Sequence, residues 1–547
     1  MTAFTGTARL TRLALRRDRV QLPIWILSGT ILMAVTVSST NQRYPSVADR
    51  IGVLRIAVDS PTLLMFRTAP TGSSTGTMMM FQILTSLAVL AGLMSTLAVV
   101  RHTRQNEETG RTEMLGATVV GRHAVLTATL IVTGTANAVL AVLLGFTLIG
   151  NGQSAAGSFA AGAAVGATGM AFAAVAAAAA QVTQTSRAAN GIAAVTVGAA
   201  YLVRGVGDAL GEVQANGYTM VSAWPSWLSP IGWTTEVRPF AGDRWWVLVL
   251  PLGLFAAAIG LAFALTVRRD VGMGMLAPRP GPTAAAPRLL SPLGLAWRLQ
   301  RGTLFGWAIT VTLSGLVVGS LGNSFAKEFA GDKGLPEGAA NTINSLSGGD
   351  DGNLVDSFNA AMMALIGVMV AGYAVQALLR LRAEEAGGPA EAVLATATGR
   401  LRWLGGHLIV AVAGAAGLLV LAGVSMGLVY GLGGDDVAGK VAGLTGAALV
   451  QLAPALILAG FVVAVFGLVP RLVIGLAWAA LAVSLVFGQL GELLNLPQAV
   501  RDISPFSHVP AVPAAEATAT PLVVLTAVAL ALGAAGMVAF RRRDLTL

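Results

Sequence analysis

Twelve long apolar runs restrict the fold of this chain more than any other feature of its sequence. Each is close to the 20 residues that an α-helix needs to cross the hydrocarbon core of a bilayer. We therefore predict an all-α integral membrane protein with 12 transmembrane helices. The runs lie at about 22–40, 78–100, 123–149, 157–183, 188–206, 245–267, 303–322, 358–380, 404–431, 442–469, 472–489 and 520–540.

Composition agrees with a membrane protein and excludes a soluble one. Mean hydropathy is +0.73, and charged residues make up 11% of the chain, against about 25% in soluble domains. The chain has no cysteine, which excludes disulfides and thiol-based metal or redox chemistry. We predict no cleaved signal peptide, because the first apolar run is too long for one.

The basic residues predict the orientation of the chain in a bacterial cytoplasmic membrane. With the N-terminus inside, cytoplasmic segments hold 24 of the 35 lysines and arginines. Such an excess is typical of cytoplasmic loops, so we predict that both termini are cytoplasmic. The net charge of +9 does not indicate nucleic-acid binding, because the arginines cluster at alternate ends of the apolar runs.

Three landmarks recur in the same order, about 275 to 285 residues apart. LALRRDRVQLPIW is repeated as LAWRLQRGTLFGW, EETGRTEMLGATVVGR as EEAGGPAEAVLATATGR with one residue inserted, and both halves close on Arg-Arg-Asp. A period this long indicates a duplicated domain, and duplicated membrane domains often surround a translocation path. We predict six-span domains at 1–270 and 292–547, joined by a cytoplasmic linker at 271–291 that is rich in Pro, Ala and Gly.

An interfacial amphipathic helix is predicted before the first span of each half. Arg9, Arg12, Arg16 and Arg19 recur at spacings of three and four, which aligns them on one side of a helix. Basic helices of this kind lie on the anionic inner leaflet. The alternative is a charge cluster that only sets topology, and the matching Trp297, Arg298 and Arg301 favour a structural element.

The cytoplasmic segments at 104–122 and 382–400 are the best candidates for a functional site. A short amphipathic helix with carboxylates and a small apolar face can dock into a groove on a cytosolic partner; the alternative is a solvated turn. The candidate docking residues are Glu107, Glu108, Arg111, Glu113, Met114, Leu115, Glu384, Glu385, Glu391 and Leu394.

These segments resemble the coupling helices of type-2 ABC exporter permeases. The Leu-Ser-Pro-Ile-Gly-Trp run at 228–233 and the Arg-Arg-Asp endings are also similar to that family. The fused two-half layout is similar to actinobacterial permeases for tetronasin-like polyketide antibiotics and drugs. This resemblance implies two copies of a separate cytosolic ABC ATPase subunit, which bind the ATP and Mg, and a small hydrophobic substrate. Gly388-Pro389-Ala390 departs from the Gly-Arg-Thr of the first copy.

We predict no catalytic residue, cofactor or metal site in the chain itself. The run from Gly434 to Lys440 fits the spacing of a phosphate-binding loop, but Val441 replaces the hydroxyl residue that binds Mg²⁺. The four histidines are scattered without metal-ligand spacing.

Three alternative functions remain open on the sequence. A lipid or glycolipid exporter would have the same composition. An ion-coupled carrier usually needs an acidic residue within the membrane, and the cores of the twelve runs contain none. A membrane glycosyltransferase would use acidic pairs such as Asp350-Asp351 and Asp435-Asp436, which have no counterparts in the first half.

The substrate path is the part of the site that the sequence defines least. Met and Phe form adaptable apolar walls that suit loosely specified cargo, and polar residues within spans either line a path or bond a neighbouring helix. The outside loops 41–77 and 323–357 have no assigned role. The candidates are Met79, Phe81, Gln82, Asn137, Tyr201, Asn359, Met362, Met363, Tyr373 and Gln376.

Overall fold

Long α-helices make up almost all of the computed structural model. It describes residues 2–270, 272–276, 283–329, 354–434, 436–491 and 496–544. Contacts between residues divide the chain into two compact units, Met1–Gly281 and Pro282–Leu547. Asp350, Asp351 and Asp435, and most of the loop 323–357, lie outside the described residues.

The first unit contains twelve described helices and a two-stranded antiparallel ribbon. The ribbon pairs β1 (Glu212–Val213) with β2 (Met220–Val221). Two 3-10 turns follow at Trp224–Leu228 and Trp245–Leu248. The helices are α1 Thr7–Arg17, α2 Gln21–Arg43, α3 Val47–Val58, α4 Pro61–Phe66, α5 Thr75–His102, α6 Arg104–Glu108, α7 Arg111–Gly116, α8 Ala124–Gly150, α9 Ala155–Val182, α10 Ser186–Ala209, α11 Pro230–Glu236 and α12 Val249–Val267.

The second unit is also helical throughout its described part. Two 3-10 turns lie at Pro287–Leu290 and Pro505–His508, and the π-helical turn Ser484–Gln489 extends α19. The helices are α13 Pro292–Phe329, α14 Leu354–Ala386, α15 Pro389–Leu394, α16 Arg400–Gly431, α17 Val437–Val450, α18 Leu452–Leu468, α19 Val473–Val483, α20 Gln498–Arg501 and α21 Ala519–Arg542.

Within the described ranges, eleven helices are long and apolar enough to cross a membrane, so the chain is a multi-pass α-helical membrane protein. Each overlaps one of the predicted runs. The run predicted at 472–489 corresponds to the shorter apolar helix Val473–Gln489. At about 1.5 Å per residue this helix is roughly 25 Å long, slightly less than the core of a typical bilayer.

The same helix pairs pack in both units. In the first unit α9 packs against α5, α8 and α12, and α2 packs against α8. In the second unit the corresponding pairs are α18 with α14 and α21, α17 with α16, and α13 with α16. Buried glycines permit several of these contacts, because a Cβ at Gly162 would lie 2.2 Å from the Ala141 carbonyl oxygen, and one at Gly460 would lie 2.5 Å from that of Ala529.

A separate helix precedes the first long apolar helix of the first unit, as predicted, but none does so in the described residues of the second unit. Its position at the membrane surface stays a prediction. α1 carries Arg9, Arg12 and Arg16 and ends at Arg17, and Arg19 lies in the turn before α2 begins at Gln21. In the second unit only the 3-10 turn Pro287–Leu290 precedes α13 in the described residues. Trp297, Arg298 and Arg301 therefore lie within the first three turns of one continuous helix.

The segment between α2 and α5 is ordered by a buried ion pair on α10. Arg204 lies 2.9 Å from Asp208, and both side chains are fully buried. The Arg204 guanidinium also donates to the carbonyl oxygens of Leu64, Met65 and Arg67, at 3.1, 2.5 and 2.7 Å. It thereby satisfies the C-terminal carbonyls of α4 and holds this helix against α10.

Candidate docking site

The first candidate docking segment is formed by two short helices separated by two residues, Thr109 and Gly110. α6 ends at Glu108 and α7 begins at Arg111. Between them Gly110 has a φ of +71°, in the left-handed region, and nothing lies near the position of a Cβ. Glycine adopts this conformation without the steric cost that a side chain brings, so the chain can turn sharply between the two helices.

Glu107 does not project from this segment, because an arginine pair holds its carboxylate. Arg269, from the Arg-Arg-Asp sequence after α12, donates to both carboxylate oxygens at 2.6 and 2.8 Å. Arg104 forms a second ion pair with Glu107 and donates through Nε to the Thr183 carbonyl oxygen at 2.6 Å. Arg269 also donates to the Gln181 side chain at 2.6 Å. The segment is thus tied to the ends of α5, α9 and α12.

Glu108 connects the segment to a fourth long helix, α10. Its carboxylate accepts the backbone N–H of Ser186 at 3.0 Å and the Ser186 hydroxyl. Ser186 is the first residue of α10, and the Thr185 hydroxyl accepts the N–H of Ala188 at 3.2 Å. A carboxylate at a helix N-terminus is stabilised by the unpaired N–H groups and the helix dipole, so Glu108 fixes where α10 starts.

The second copy repeats the anchor with its own arginine. Glu385 accepts a hydrogen bond from Arg543 at 2.6 Å and lies 3.6 Å from Arg382. Its side chain is 2% exposed. Glu384 pairs instead with Arg380, one helical turn earlier, at 2.7 Å. The equivalent of Glu107 is therefore Glu385, because each binds the second arginine of the Arg-Arg-Asp sequence in its own unit.

The structure aligns the two copies without the one-residue insertion that the sequence comparison predicted. Gly388 has a φ of +90° and precedes α15, just as Gly110 precedes α7. Both short helices have six residues and end on an alanine cap, Ala117 or Ala395. A constant offset places Glu107 opposite Glu385 and Glu113 opposite Glu391, and leaves Glu384 opposite Asn106.

A second arginine contact closes each segment. Arg122 donates to the carbonyl oxygens of Val267 and Arg269 at 3.0 and 3.4 Å. Arg400 donates to those of Arg541 and Arg543 at 3.4 and 2.6 Å. In each unit this satisfies carbonyls at the C-terminal end of the last span, where a cation is also favoured by the helix dipole. The sequence showed both arginines and both Arg-Arg-Asp sequences, but not that they meet.

The exposed part of each segment is smaller than predicted. Arg111 and Glu113 are exposed and Leu115 is half-buried, while Met114 is 67% exposed. In the second copy Glu391 is exposed and Leu394 is half-buried. The other four predicted docking residues, Glu107, Glu108, Glu384 and Glu385, bind groups of their own unit. None of these observations tests a contact with a partner, and docking stays a prediction.

A buried carboxylate links the interfacial helix to the same end of the first unit. Asp18 pairs with Arg101 at 2.9 Å and with His102, both at the end of α5. Burial raises the pKa of Asp18, but the hydrogen bonds and charges of His102 and Arg101 lower it further, to a value below the ordinary one. Arg17 donates to Asn106 at 2.6 Å. α1 is therefore bound to the segment that leads into α6.

Most polar candidates for the substrate path bond a neighbouring helix in their own unit. Gln82 donates to Thr40 at 3.1 Å, and Asn137 to Ser95 at 2.8 Å. Gln376 accepts the indole N–H of Trp307 at 2.7 Å. The remaining candidates differ in burial: Met79, Phe81, Asn359, Met363 and Tyr373 are buried, and Tyr201 and Met362 are half-buried. Their contact with a substrate stays a prediction.

The described residues contain no group of three or more His, Asp or Glu side chains placed to hold a metal ion.

The fold defines a multi-pass helical membrane protein with two repeated charged segments. This is the layout of a permease. Residues 289–541 match the family model "Multidrug efflux system permease Rv1217c, C-terminal domain". The chain is 39% identical, over 99% of its length and 95% of the relative, to the multidrug efflux system permease protein Rv1217c of Mycobacterium tuberculosis (strain ATCC 25618 / H37Rv).

The chain belongs to the family of this multidrug efflux system permease. The identity extends across both units and is not confined to the part that the family model covers. This confirms the predicted relation to exporter permeases of the multidrug type.

Proposed function

We propose that the chain is the membrane permease of an ATP-driven exporter for amphipathic or hydrophobic compounds. It lies in the bacterial cytoplasmic membrane with both termini in the cytoplasm. Two copies of a separate ABC ATPase subunit bind it, carry the ATP and Mg, and do the catalysis. The observation that carries this proposal is the repeated segment, in which a short exposed helix is fastened by a glutamate–arginine pair to the end of the last span.

A docking element for a motor must be stiff as well as exposed, because a flexible one would not transmit displacement to the spans. Glu107 and Arg122 fasten α7 to the end of α12, and Glu108 fastens it to the start of α10. Hydrogen bonds between charged groups are roughly twice as strong as neutral ones. A displacement of α7 is therefore transmitted to several spans and is not absorbed by a flexible loop.

The same geometry divides the predicted docking residues into two roles. Arg111, Glu113, Met114 and Leu115 form the contact surface of the first copy, with Glu391 and Leu394 in the second. The four other glutamates position these surfaces. Because Pro389 and Ala390 replace Arg111 and Thr112, the second surface lacks one positive charge. Two copies of one ATPase subunit would therefore bind the two contact surfaces with different affinities.

The cargo follows from the family. The relative is named as a multidrug efflux permease, which supports drugs or antibiotics as the compounds exported.

The energy for export must come from elsewhere if the chain has no nucleotide site, as its sequence predicts. The two possible sources are an ATPase partner and an ion gradient. The buried acidic residue on α10, Asp208, is bound by Arg204 and by the hydroxyls of Ser222 and Ser226. This full set of partners favours a structural role over reversible protonation.

The proposal is tested by co-purification of the full chain from its native host, followed by ATPase and transport assays in proteoliposomes. We expect an ATP-hydrolysing subunit at two copies per chain and drug uptake into inverted vesicles that requires ATP. Glu113→Lys with Glu391→Lys should reduce ATPase recovery and transport together. Glu212→Lys is the control, because Glu212 is an exposed carboxylate in β1, remote in sequence from both segments.

Two results would contradict the proposal. A chain that purifies without an ATPase and moves drugs in response to a proton gradient would be an ion-coupled carrier. A complex that forms normally but transports phospholipid or glycolipid and no drug would keep the ATPase partner and change the cargo.

A further inference from the structure

α13 and α16 of the second unit pack together and approach each other closely at two levels. Near their starts, a Cβ at Gly406 would lie 3.1 Å from the Pro292 carbonyl oxygen. Further along, a Cβ at Gly315 would lie 2.8 Å from the carbonyl oxygen of Ala422. The stretch of α13 between these contacts is longer than the matching stretch of α16. A groove lined by both helices lies between these two levels.

The groove has a volume of about 1480 Å³, larger than the roughly 300–1,000 Å³ of sites for drug-sized ligands. Apolar side chains form most of its lining, among them Leu304, Phe305, Ile409 and Leu421. Gly417 also lines it, and nothing lies within 4 Å of the position of a Cβ on this glycine. The groove suits long hydrocarbon chains better than a compact polar ligand.

Two arginines lie at one end of the groove. Arg298 and Arg301 line it and are exposed, and neither has an ion-pair partner among the residues that the structure describes. They are three residues apart on one helix, which places them on the same side. Trp297, which is 51% exposed, also lines this end, and tryptophan is enriched where the membrane meets water.

We propose that this groove binds one anionic phospholipid of the inner leaflet. Its phosphate lies against Arg298 and Arg301, and its acyl chains occupy the apolar space between α13 and α16. The argument is charge complementarity at one end and apolar volume along the rest. Basic pockets between transmembrane helices on the cytoplasmic side are known to bind anionic lipid headgroups. The proposal does not depend on the proposed export function.

The described residues of the first unit differ at the matching place, because the two units begin differently. In the first unit the chain turns after Arg17 and α1 packs against α8, the counterpart of α16. A pocket between α1 and α8 has a volume of about 60 Å³, too small for a lipid. In the repeated motif, Arg16 and Arg19 correspond to the two groove arginines. They provide a matched control with equal charge.

The test is native mass spectrometry of the delipidated full chain during stepwise addition of phosphatidylglycerol or phosphatidylethanolamine. We expect one phosphatidylglycerol to bind before any phosphatidylethanolamine. Each arginine near an anionic headgroup contributes about fivefold in affinity, so Arg298→Gln with Arg301→Gln should weaken binding roughly thirtyfold. Arg16→Gln with Arg19→Gln should leave it unchanged.

A second pair of variants tests the apolar part without altering charge. Gly417→Leu places a side chain in the groove and should weaken phosphatidylglycerol binding. Gly260→Leu on α12 is the control, because its Cβ position is equally open but does not line the groove. Glycerophosphoglycerol, which has the headgroup without acyl chains, should not compete.

Three outcomes would overturn the proposal. The first is equal affinity for the two phospholipids. The second is equal loss of binding in the two double-arginine variants, which would indicate attraction to overall charge. The third is unchanged phosphatidylglycerol binding by Gly417→Leu in a chain that melts like Gly260→Leu.

Discussion

Replacing Glu107 by glutamine should release the first docking segment from the spans while leaving the membrane fold intact. The substitution removes the charge that pairs with Arg104 and Arg269, whose side chains are 0% and 8% exposed. Removing one partner of a buried ion pair costs about 3–5 kcal/mol. Arg104 keeps its bonds to the carbonyl oxygens of Thr183 and Met273, so we expect about 3 kcal/mol.

The loss of this free energy should be detectable in the hydrogen exchange of the segment. If the segment opens without unfolding the spans, about 3 kcal/mol raises its opening constant roughly a hundredfold. Hydrogen–deuterium exchange of peptides covering 104–122 should then accelerate by about that factor in Glu107→Gln. Peptides from the middle of α9 should not change. Drug transport should fall more than ATPase activity, because the motor would act on a detached element.

The control is Glu113→Gln, which neutralises an exposed carboxylate in the same segment. It has no ion-pair partner in the part of the chain that the structure describes, and exchange should match the unaltered chain. Exchanging the charges, with Glu107→Arg and Arg269→Glu, should restore part of the protection. If Glu107→Gln and Glu113→Gln gave the same exchange in peptides covering 104–122, the anchoring role of Glu107 would be refuted.

Three further predictions concern other parts of the chain. Glu385→Gln should accelerate exchange of 382–400 far more than Glu384→Gln, and equal effects would contradict the structural alignment of the two copies. Gly157→Ala should destabilise the first unit by about 1–3 kcal/mol, because its Cβ would lie 2.3 Å from the ring of Phe240; Phe240→Ala in the same chain should relieve this in a thermal melt. Burial raises the pKa of Glu236 above its ordinary value of 4.5, despite two nearby arginines, so unfolding should become easier as pH rises through that raised pKa, and Glu236→Gln should remove this part of the pH dependence.

The sequence located the candidate site but not the roles of its residues. The two glutamate-rich segments were identified because they recur after the same span, and local spacing is enough to show that. Which glutamate binds an arginine of its own unit was not visible, because Arg269 and Arg543 are 162 and 158 residues distant from Glu107 and Glu385. The adjacent glutamate pair at 384–385 also suggested the wrong register, since the left-handed glycines that fix the alignment are defined by backbone angles.

The sequence by itself determined the membrane class, the positions of the long apolar helices and the repeat of its own landmarks. These depend on the transfer of apolar side chains from water to lipid and on the backbone hydrogen bonds of single helices, which are properties of continuous segments. Tertiary structure alone decided that the chain turns between α1 and α2 while α13 continues without a break, that the Arg-Arg-Asp endings hold the candidate docking segments, and that α13 and α16 line a groove. Each of these features depends on residues that are far apart in the chain. The free energy of such an arrangement comes from packing and from paired charges, so a local sequence pattern cannot predict it.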